Sequence, residues 1–363
     1  MAKAPVYIKI GCNFDKKLIE GLDLLNNSQK NVIFNQFYGS IAAHHYLAAR
    51  PKFRLPDLQL YELEEYVKLA KEKKIGFNYT LNSILPGDIY TLHDKEIRIR
   101  DLVRNLEDIG VEMLTITSPY LAQTVRKYSN LPLELSTIAH FDDPNKLYMY
   151  KELGFSKVCM HLYNNRNFDF IDKAGNIARN LGMYLEIMVN EFCGNADIGG
   201  NYSPCIYRDE CYIIHGYTID KKEAQSVGIY PMNKCIAGRS KNKEVWLKSK
   251  FVLPQFFNTY IDHGISHFKL TGRTGSTEYI LKMAKSYTEE KYSGNLLELW
   301  KQLETIYSDT LNDAEYSGNF EINCDNINED FIKFFEKNNT YDISDKINKP
   351  NNFYRKYIKE NNL

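Results

Sequence analysis

The chain has 363 residues, of which 44% are hydrophobic and 25% charged, enough for one large domain or two ordinary ones around a sizeable core. Its 46 Lys and Arg balance 46 Asp and Glu, so no net positive field gathers phosphate backbone; this argues against bulk nucleic-acid binding and leaves a tRNA partner open. No run of about 18 uncharged apolar residues occurs and the first residues carry no apolar leader core, so a cytoplasmic protein without membrane segments is expected.

Short β-rich runs alternate with longer helical patterns along most of the chain, the mark of parallel βα units. Residues 6–10 read as the first strand and 16–25 as the first helix, with Leu18, Ile19, Leu22 and Leu25 on one face. A second strand at 32–37 leads through a loop with Pro51 and Pro56 to a helix at 60–73. Strands follow at 75–81, 113–117 and 133–136, with a helix at 97–109 and another opened by Pro119. Asp143 and Pro144 read as the start of a helix to Leu153, ahead of a sixth strand at 157–162 and a helix at 170–181. After a seventh strand at 184–189 the alternation breaks, resuming with an eighth at 267–270 and a helix at 277–291.

Eight strands with interleaved helices predict an α/β fold of the (β/α)8 TIM-barrel type. An open doubly wound sheet is the rival topology. On this reading residues 1–303 form the barrel, interrupted by an insertion at about 190–264. Residues 304–363 turn rich in Asn, Asp and Lys, with an apolar patch at Phe331, Ile332, Phe334 and Phe335; they read as a peripheral helical or irregular appendage with a loose end.

Seven cysteines suit no disulfide framework in a chain of this length. Cys193, Cys205, Cys211 and Cys235 all fall in the insertion, spaced C-x11-C-x5-C-x23-C. Four thiolates there can hold a [4Fe–4S] cluster or a zinc ion, and incidental free thiols are the third reading. The spacing lacks the short paired knuckles of zinc ribbons and suits the cluster better.

Polar residues collect where the strands end, which on a barrel is one mouth. They are Tyr38 with Arg50 beyond it, Asn78 and Asn82, Ser136 with His140 beyond it, His161 with Arg166 beyond it, Asn190 with Glu191, and Lys269 with Arg273. A lone Asn or Ser at such a place is more often a loop cap than a ligand. Lys269, in the middle of the strand run HFKL, is harder to explain that way, because it aims a cation inward. Arg166, Lys269 and Arg273 together would suit a carboxylate or phosphate, and the whole set of strand-end residues predicts binding of an anionic small molecule or peptide. His140, His161 and Glu191 are the candidate proton-transfer residues. No P-loop, dinucleotide fingerprint, nucleophile elbow or HExxH motif is present.

Several segments together, NFDKKLIEGL, FYGSIAAHHYLAARP, FNYTLN, LEDIGVEMLTITSPYLAQ, LYNNRNFDFI, MVNEFC, GISHFKLTGRTGSTEYI and YSGNLLEL, resemble the peptidase U32 family, also called the collagenase-like proteases. The resemblance runs from about Asn13 to Leu299. It implies a TIM-like barrel and either of two activities, the proteolysis recorded in the family name or the chemistry of its better understood members. Better understood members resemble oxygen-independent hydroxylases of tRNA uridine, a ribosomal RNA cytidine or a quinone precursor. In those members four cysteines bind a [4Fe–4S] cluster, and a prephenate-like oxygen donor serves some of them.

The family's cysteine after an Asn-Glu pair maps onto Cys193; Cys205, Cys211 and Cys235 follow with altered spacing. The expected function is thus a cluster-dependent redox enzyme, with a peptidase or a non-catalytic cluster-bearing subunit as alternatives. Family members pair, so a partner protein or a homo-oligomer is also an expectation.

Overall fold

The computed structural model describes residues 5–50, 52–84, 93–191, 243–289, 291–300, 321–338 and 343–363. Eight parallel strands lie in chain order: β1 (Val6–Gly11), β2 (Val32–Gly39), β3 (Gly76–Leu81), β4 (Met113–Ile116), β5 (Leu133–Leu135), β6 (Phe155–Cys159), β7 (Tyr184–Met188) and β8 (His267–Leu270). Strand β8 pairs with β7 on one side and with β1 on the other, closing the sheet into a barrel. That closure excludes the open doubly wound sheet.

Helices cover the outside: α1 (Lys16–Ser28), α2 (Leu60–Glu72), α3 (His93–Asp108), α4 (Pro119–Arg126), α5 (Lys146–Glu152) and α6 (Phe168–Asn180). They continue with α7 (Lys243–Lys248), α8 (Phe257–Asp262) and α9 (Thr277–Ser286). Their starts follow local chemistry. Asp15, Ser118 and Ser276 each accept a first-turn backbone N–H, and Pro119 sits in the first turn of α4, where it gives up no helical hydrogen bond. Helix α5 begins at Lys146, later than Asp143 and Pro144 suggest, because the Asp143 carboxylate accepts from Asn145 N in a turn ahead of it.

Strand residues alternate between barrel interior and helix layer. The outward set is apolar: Ile8, Phe37, Phe77, Leu114, Leu135, Val158, Ile187 and Phe268 are buried between sheet and helices. Burying each such side chain is worth about 1.5–3 kcal/mol, so the hydrophobic core lies around the barrel. The inward set is largely polar, which is unusual for an interior that Val, Ile and Leu ordinarily fill.

Strand β6 starts two residues earlier and ends sooner than its sequence pattern suggests. His161 has left the sheet; its side chain caps the 3-10 turn Leu162–Arg166 that follows. At the C-terminal end, α10 (Glu329–Lys337) and α11 (Ile343–Glu360) follow. Phe331 and Tyr354 are buried here, and Phe331 stacks on Phe251 and Phe256 of the segment leading to α8. The expected appendage thus turns an aromatic face to the barrel. No helix among the described residues is long and apolar enough to cross a membrane.

Candidate functional site

The barrel interior is built in layers of four, drawn from alternate strands. Strands β1, β3, β5 and β7 contribute Lys9, Asn78, Glu134 and Glu186, all buried. Lys9 Nζ pairs with Glu134 and, at 2.8 Å, with Glu186. Lys157, lower on β6, pairs with Glu186 and stands 3.8 Å from Glu134. Asn78 Nδ2 donates to Glu134 Oε2 at 2.9 Å, and Asn78 Oδ1 accepts from Thr115 Oγ1 at 2.7 Å. Two lysines thus neutralise two glutamates in a buried interior.

The electrostatics follow from that pairing. Burial works against the charge on Lys9, but Glu134 and Glu186 outweigh it and raise its pKa. Burial likewise opposes the Glu186 carboxylate, yet Lys157, Lys9 and Lys269 overcome it and hold its pKa below the usual range. Glu134, Cys159 and Glu186 bring potential ligand atoms within 4.8 Å of one another, so the group could hold a metal ion. Both carboxylates already have lysine partners, and burial pushes the Cys159 thiol up to about 12. An ion-pair network describes these donors better than a cation cage.

The next layer lies toward the C-terminal ends of the strands. Tyr38 and Lys269 from β2 and β8 belong to it, with Thr115 and Cys159 from β4 and β6. Lys269 is in register with Lys9 on one side and with Met188 on the other, and Tyr38 likewise with Asn78 and Gly11. Lys269 Nζ sits 4.3 Å from the centre of the Tyr38 ring, with the Arg273 guanidinium 5.9 Å from the same ring. Among the described residues no carboxylate lies within ion-pair distance of Lys269, Arg273 or Arg50. Burial first, and then Lys9, lower the pKa of Lys269.

Arg273 is pushed down to about 9 by burial and by Arg50, and its guanidinium donates to Thr80 Oγ1 at 3.1 Å. Burial lifts the Tyr38 phenol to about 12 even though Arg273 and Arg50 favour its ionised form, and Glu191 acts on it in the opposite sense. Two glycines make room for this arrangement. Gly272 turns the chain at φ +124, and a Cβ on Gly11 would stand 2.8 Å from the Arg273 backbone nitrogen.

The other expected residues divide into four groups. His140 and His161 come together above β5 and β6, ring centroids 4.8 Å apart. His161 Nδ1 accepts from Tyr163 N at 3.3 Å, which places the proton of the neutral ring on Nε2. His140 is held in the left-handed backbone region at φ +52, a local strain of the kind that accumulates at functional sites.

Asn82, Ser136 and Asn190 are bolts between strand ends. Asn82 accepts from Ala49 N and donates to Ser136 Oγ, so it fixes the loop that carries Arg50. Asn190 accepts from Thr271 N at 2.7 Å and ties the end of β7 to that of β8. Asn78 is committed to the ionic layer below the mouth.

Arg166 faces away from the expected anion site. Its guanidinium donates to the carbonyls of Leu247 and Phe251 and stacks on Phe251, Phe331 and Phe335, against the C-terminal helices. Cys193, Cys205, Cys211 and Cys235 lie outside the described residues.

Sequence reasoning missed Lys9, Glu134, Lys157 and Glu186. The signal was the one that singled out Lys269, a charged residue inside an apolar strand run. Beside Asn78 on β3, the Tyr79 hydroxyl accepts from Ile41 N and meets His44 Nδ1 at 2.6 Å. Burial, together with His45, pushes His44 down to about 4, so its ring is neutral and accepts the tyrosine proton.

Residues 42–193 match the model of peptidase family U32. The chain is 28% identical to the "Uncharacterized protease MJ1657" of Methanocaldococcus jannaschii over 280 residues, 76% of each protein. Its fold is similar to that of the U32 peptidase Mk0906, with 14% identity, 75% of this chain and 94% of that one covered, and a TM-score of 0.49.

Proposed function

From the premise that this is a peptidase family U32 chain, we propose that it is an enzyme binding an anionic substrate at the C-terminal mouth of the barrel and modifying it by oxygen-independent redox chemistry. The observation that carries the binding half is the convergence of Lys269 and Arg273 on the Tyr38 ring, with no carboxylate partner among the described residues. Cations held unpaired near a barrel mouth favour a bound anion, and a carboxylate or phosphate would restore the balance. The mouth takes a small molecule, or the charged end of a peptide or nucleoside, on the same grounds.

The redox half rests on the four cysteines and on the motif resemblance. Cys193, Cys205, Cys211 and Cys235 would hold a [4Fe–4S] cluster, which when bound supplies electron transfer. The chain's own residues do the rest. Arg273, steadied by Thr80, and Arg50, steadied through Asn82, orient the anion. His161, with its Nε2 proton fixed by the Tyr163 contact, and His140 beside it are placed to pass a proton at the mouth, and Glu191 is the acidic group facing Tyr38. The oxygen donor in this reading is an organic acid of the prephenate kind.

A peptidase is the second reading, favoured by the name of the archaeal relative. The serine–histidine contact among the described residues, Ser266 Oγ with His267 Nδ1 at 3.2 Å, lies at the N-terminal end of β8, away from the mouth. Burial pushes the thiols of Cys12 and Cys159 to about 12, which leaves them protonated and poor nucleophiles.

Anaerobic purification separates the readings. The redox enzyme carries about four irons per chain and a brown colour, and Arg273→Ala raises KM for its anionic substrate without removing iron. A colourless protein that cleaves peptides after metal stripping defeats the redox half. A preparation holding stoichiometric zinc does the same.

A further inference from the structure

Lys269 differs from every other lysine in the barrel interior. Lys9 and Lys157 each pair with a glutamate, whereas Lys269 lies over the Tyr38 ring and has no ion-pair partner among the described residues. It is 5% exposed, one layer above the ionic network, and shares the Tyr38 ring with Arg273. An amine in that place serves an anion poorly if electrostatics were its only task, because Arg273 and Arg50 already supply two permanent charges closer to solvent.

We propose that Lys269 is an amine nucleophile that forms a Schiff base with a substrate carrying a carbonyl next to a carboxylate, the carboxylate resting on Arg273 and Arg50. This deepens the reading of an anion-binding mouth and rests on it. The distance scale suits a compact oxo acid, whose two functional groups are neighbours and would face a lysine and an arginine that share one ring.

The step balances without a co-reactant. The uncharged amine adds to the carbonyl carbon and the carbonyl oxygen takes a proton, giving a carbinolamine. Loss of water, carrying away that oxygen and both amine hydrogens, leaves the imine.

The groups around the amine ease the loss of its proton. Lys9 on β1 faces it as a like charge, and Tyr38 on β2 offers a ring. Cys159 on β6, Glu134 on β5 and Glu186 on β7 pull the other way. Burial and Lys9 prevail, so the pKa of Lys269 falls below the ordinary lysine value. Glu134 and Glu186 are already shared with Lys9 and Lys157, which limits their hold on a third cation.

The test traps the imine. Anaerobically prepared full-length protein is incubated at neutral pH with glyoxylate or pyruvate and cyanoborohydride, and adducts are mapped by peptide mass. The expected result is a single dominant adduct on Lys269, lost in Lys269→Arg and Lys269→Met.

Lys250 provides the control, since burial and Arg166 lower its pKa to about 7 but its amine lies against Phe335 of the C-terminal helix α10. Lys250→Arg therefore keeps the Lys269 adduct. Labelling confined to Lys250 or spread over surface lysines overturns the proposal.

Arg273→Ala distinguishes this proposal from the reading beneath it. In the supported case it slows trapping of glyoxylate and leaves that of propionaldehyde unchanged. If both reagents label Lys269 equally well with and without Arg273, the nucleophile stands and the anion site falls. If glyoxylate binds and protects Arg273 from phenylglyoxal while Lys269 stays unlabelled, the anion site stands and the nucleophile falls.

Discussion

Glu186 shows what a single residue does in this interior. Its two oxygens face Lys9 and Lys157, with Lys269 beyond, and its neutral isostere would leave those cations undercompensated in a buried site. Breaking one side of a buried ion pair costs about 3–5 kcal/mol. Glu186→Gln is expected to lose stability on that scale in chemical denaturation. Replacing Lys157 by Met and Glu186 by Leu together leaves Lys9 balanced by Glu134, and the double variant is expected to lose less than the single one. A double variant as unstable as the single would show that packing, and not charge, sets the loss. The sign with pH follows from the lowered pKa of Glu186. Its contribution is complete at neutral pH, begins to fall as acid passes the ordinary glutamate value of about 4.3, and is gone below its folded value. Much of this was open to the sequence. Lys9 in VYIKI, Glu134 in LEL and Glu186 in YLEIM are charges inside strands, as Lys269 is in HFKL. What the pattern could not supply was partnership, because which charge meets which depends on the closure and stagger of eight strands.

Among the elements, the strands were legible because period-two burial and β-branched runs are local signals, whereas Arg166 was misleading because its environment is assembled from far along the chain. It follows β6 by a few residues, where a barrel loop ordinarily faces the mouth. Instead the 3-10 turn Leu162–Arg166 directs it between three phenylalanines, two of them on α10. Tyr354 of α11 is within 3.3 Å of the same guanidinium. Charge-assisted hydrogen bonds to the Leu247 and Phe251 carbonyls make the side chain a pin between the barrel and the C-terminal helices. Arg166→Ala should therefore cost on the order of 3 kcal/mol and expose α10 and α11 to limited proteolysis before the barrel. Arg166→Lys should not rescue it, since an ammonium cannot both stack and fork to two carbonyls. First cleavage elsewhere, with the C-terminal helices still protected, would remove Arg166 from this role.

For the whole molecule, the decisive fact is that the barrel closes on its own described strands. Residues 192–242 lie between β7 and α7 in sequence, yet β7 and β8 pair directly through Glu186 and His267, Ile187 and Phe268, and Met188 and Lys269. Val252 N also donates to Val189 O, and Asn190 ties to Thr271, so described chain on either side of that segment is held to the sheet. None of these bonds involves a cysteine. If Cys193, Cys205, Cys211 and Cys235 hold a cluster, its binding energy acts on their own segment and leaves the barrel's folding to the apolar layer around the sheet. Cys193→Ala, or exhaustive chelation, is then expected to abolish colour and activity. Far-UV circular dichroism and the main thermal transition should stay close to those of the intact protein. Proteolysis should meanwhile accelerate within 192–242, and nowhere in the eight strands. A barrel that unfolds with loss of iron would mean that the cysteines stabilise the strands themselves, and the independence argued from the strand pairing would be wrong.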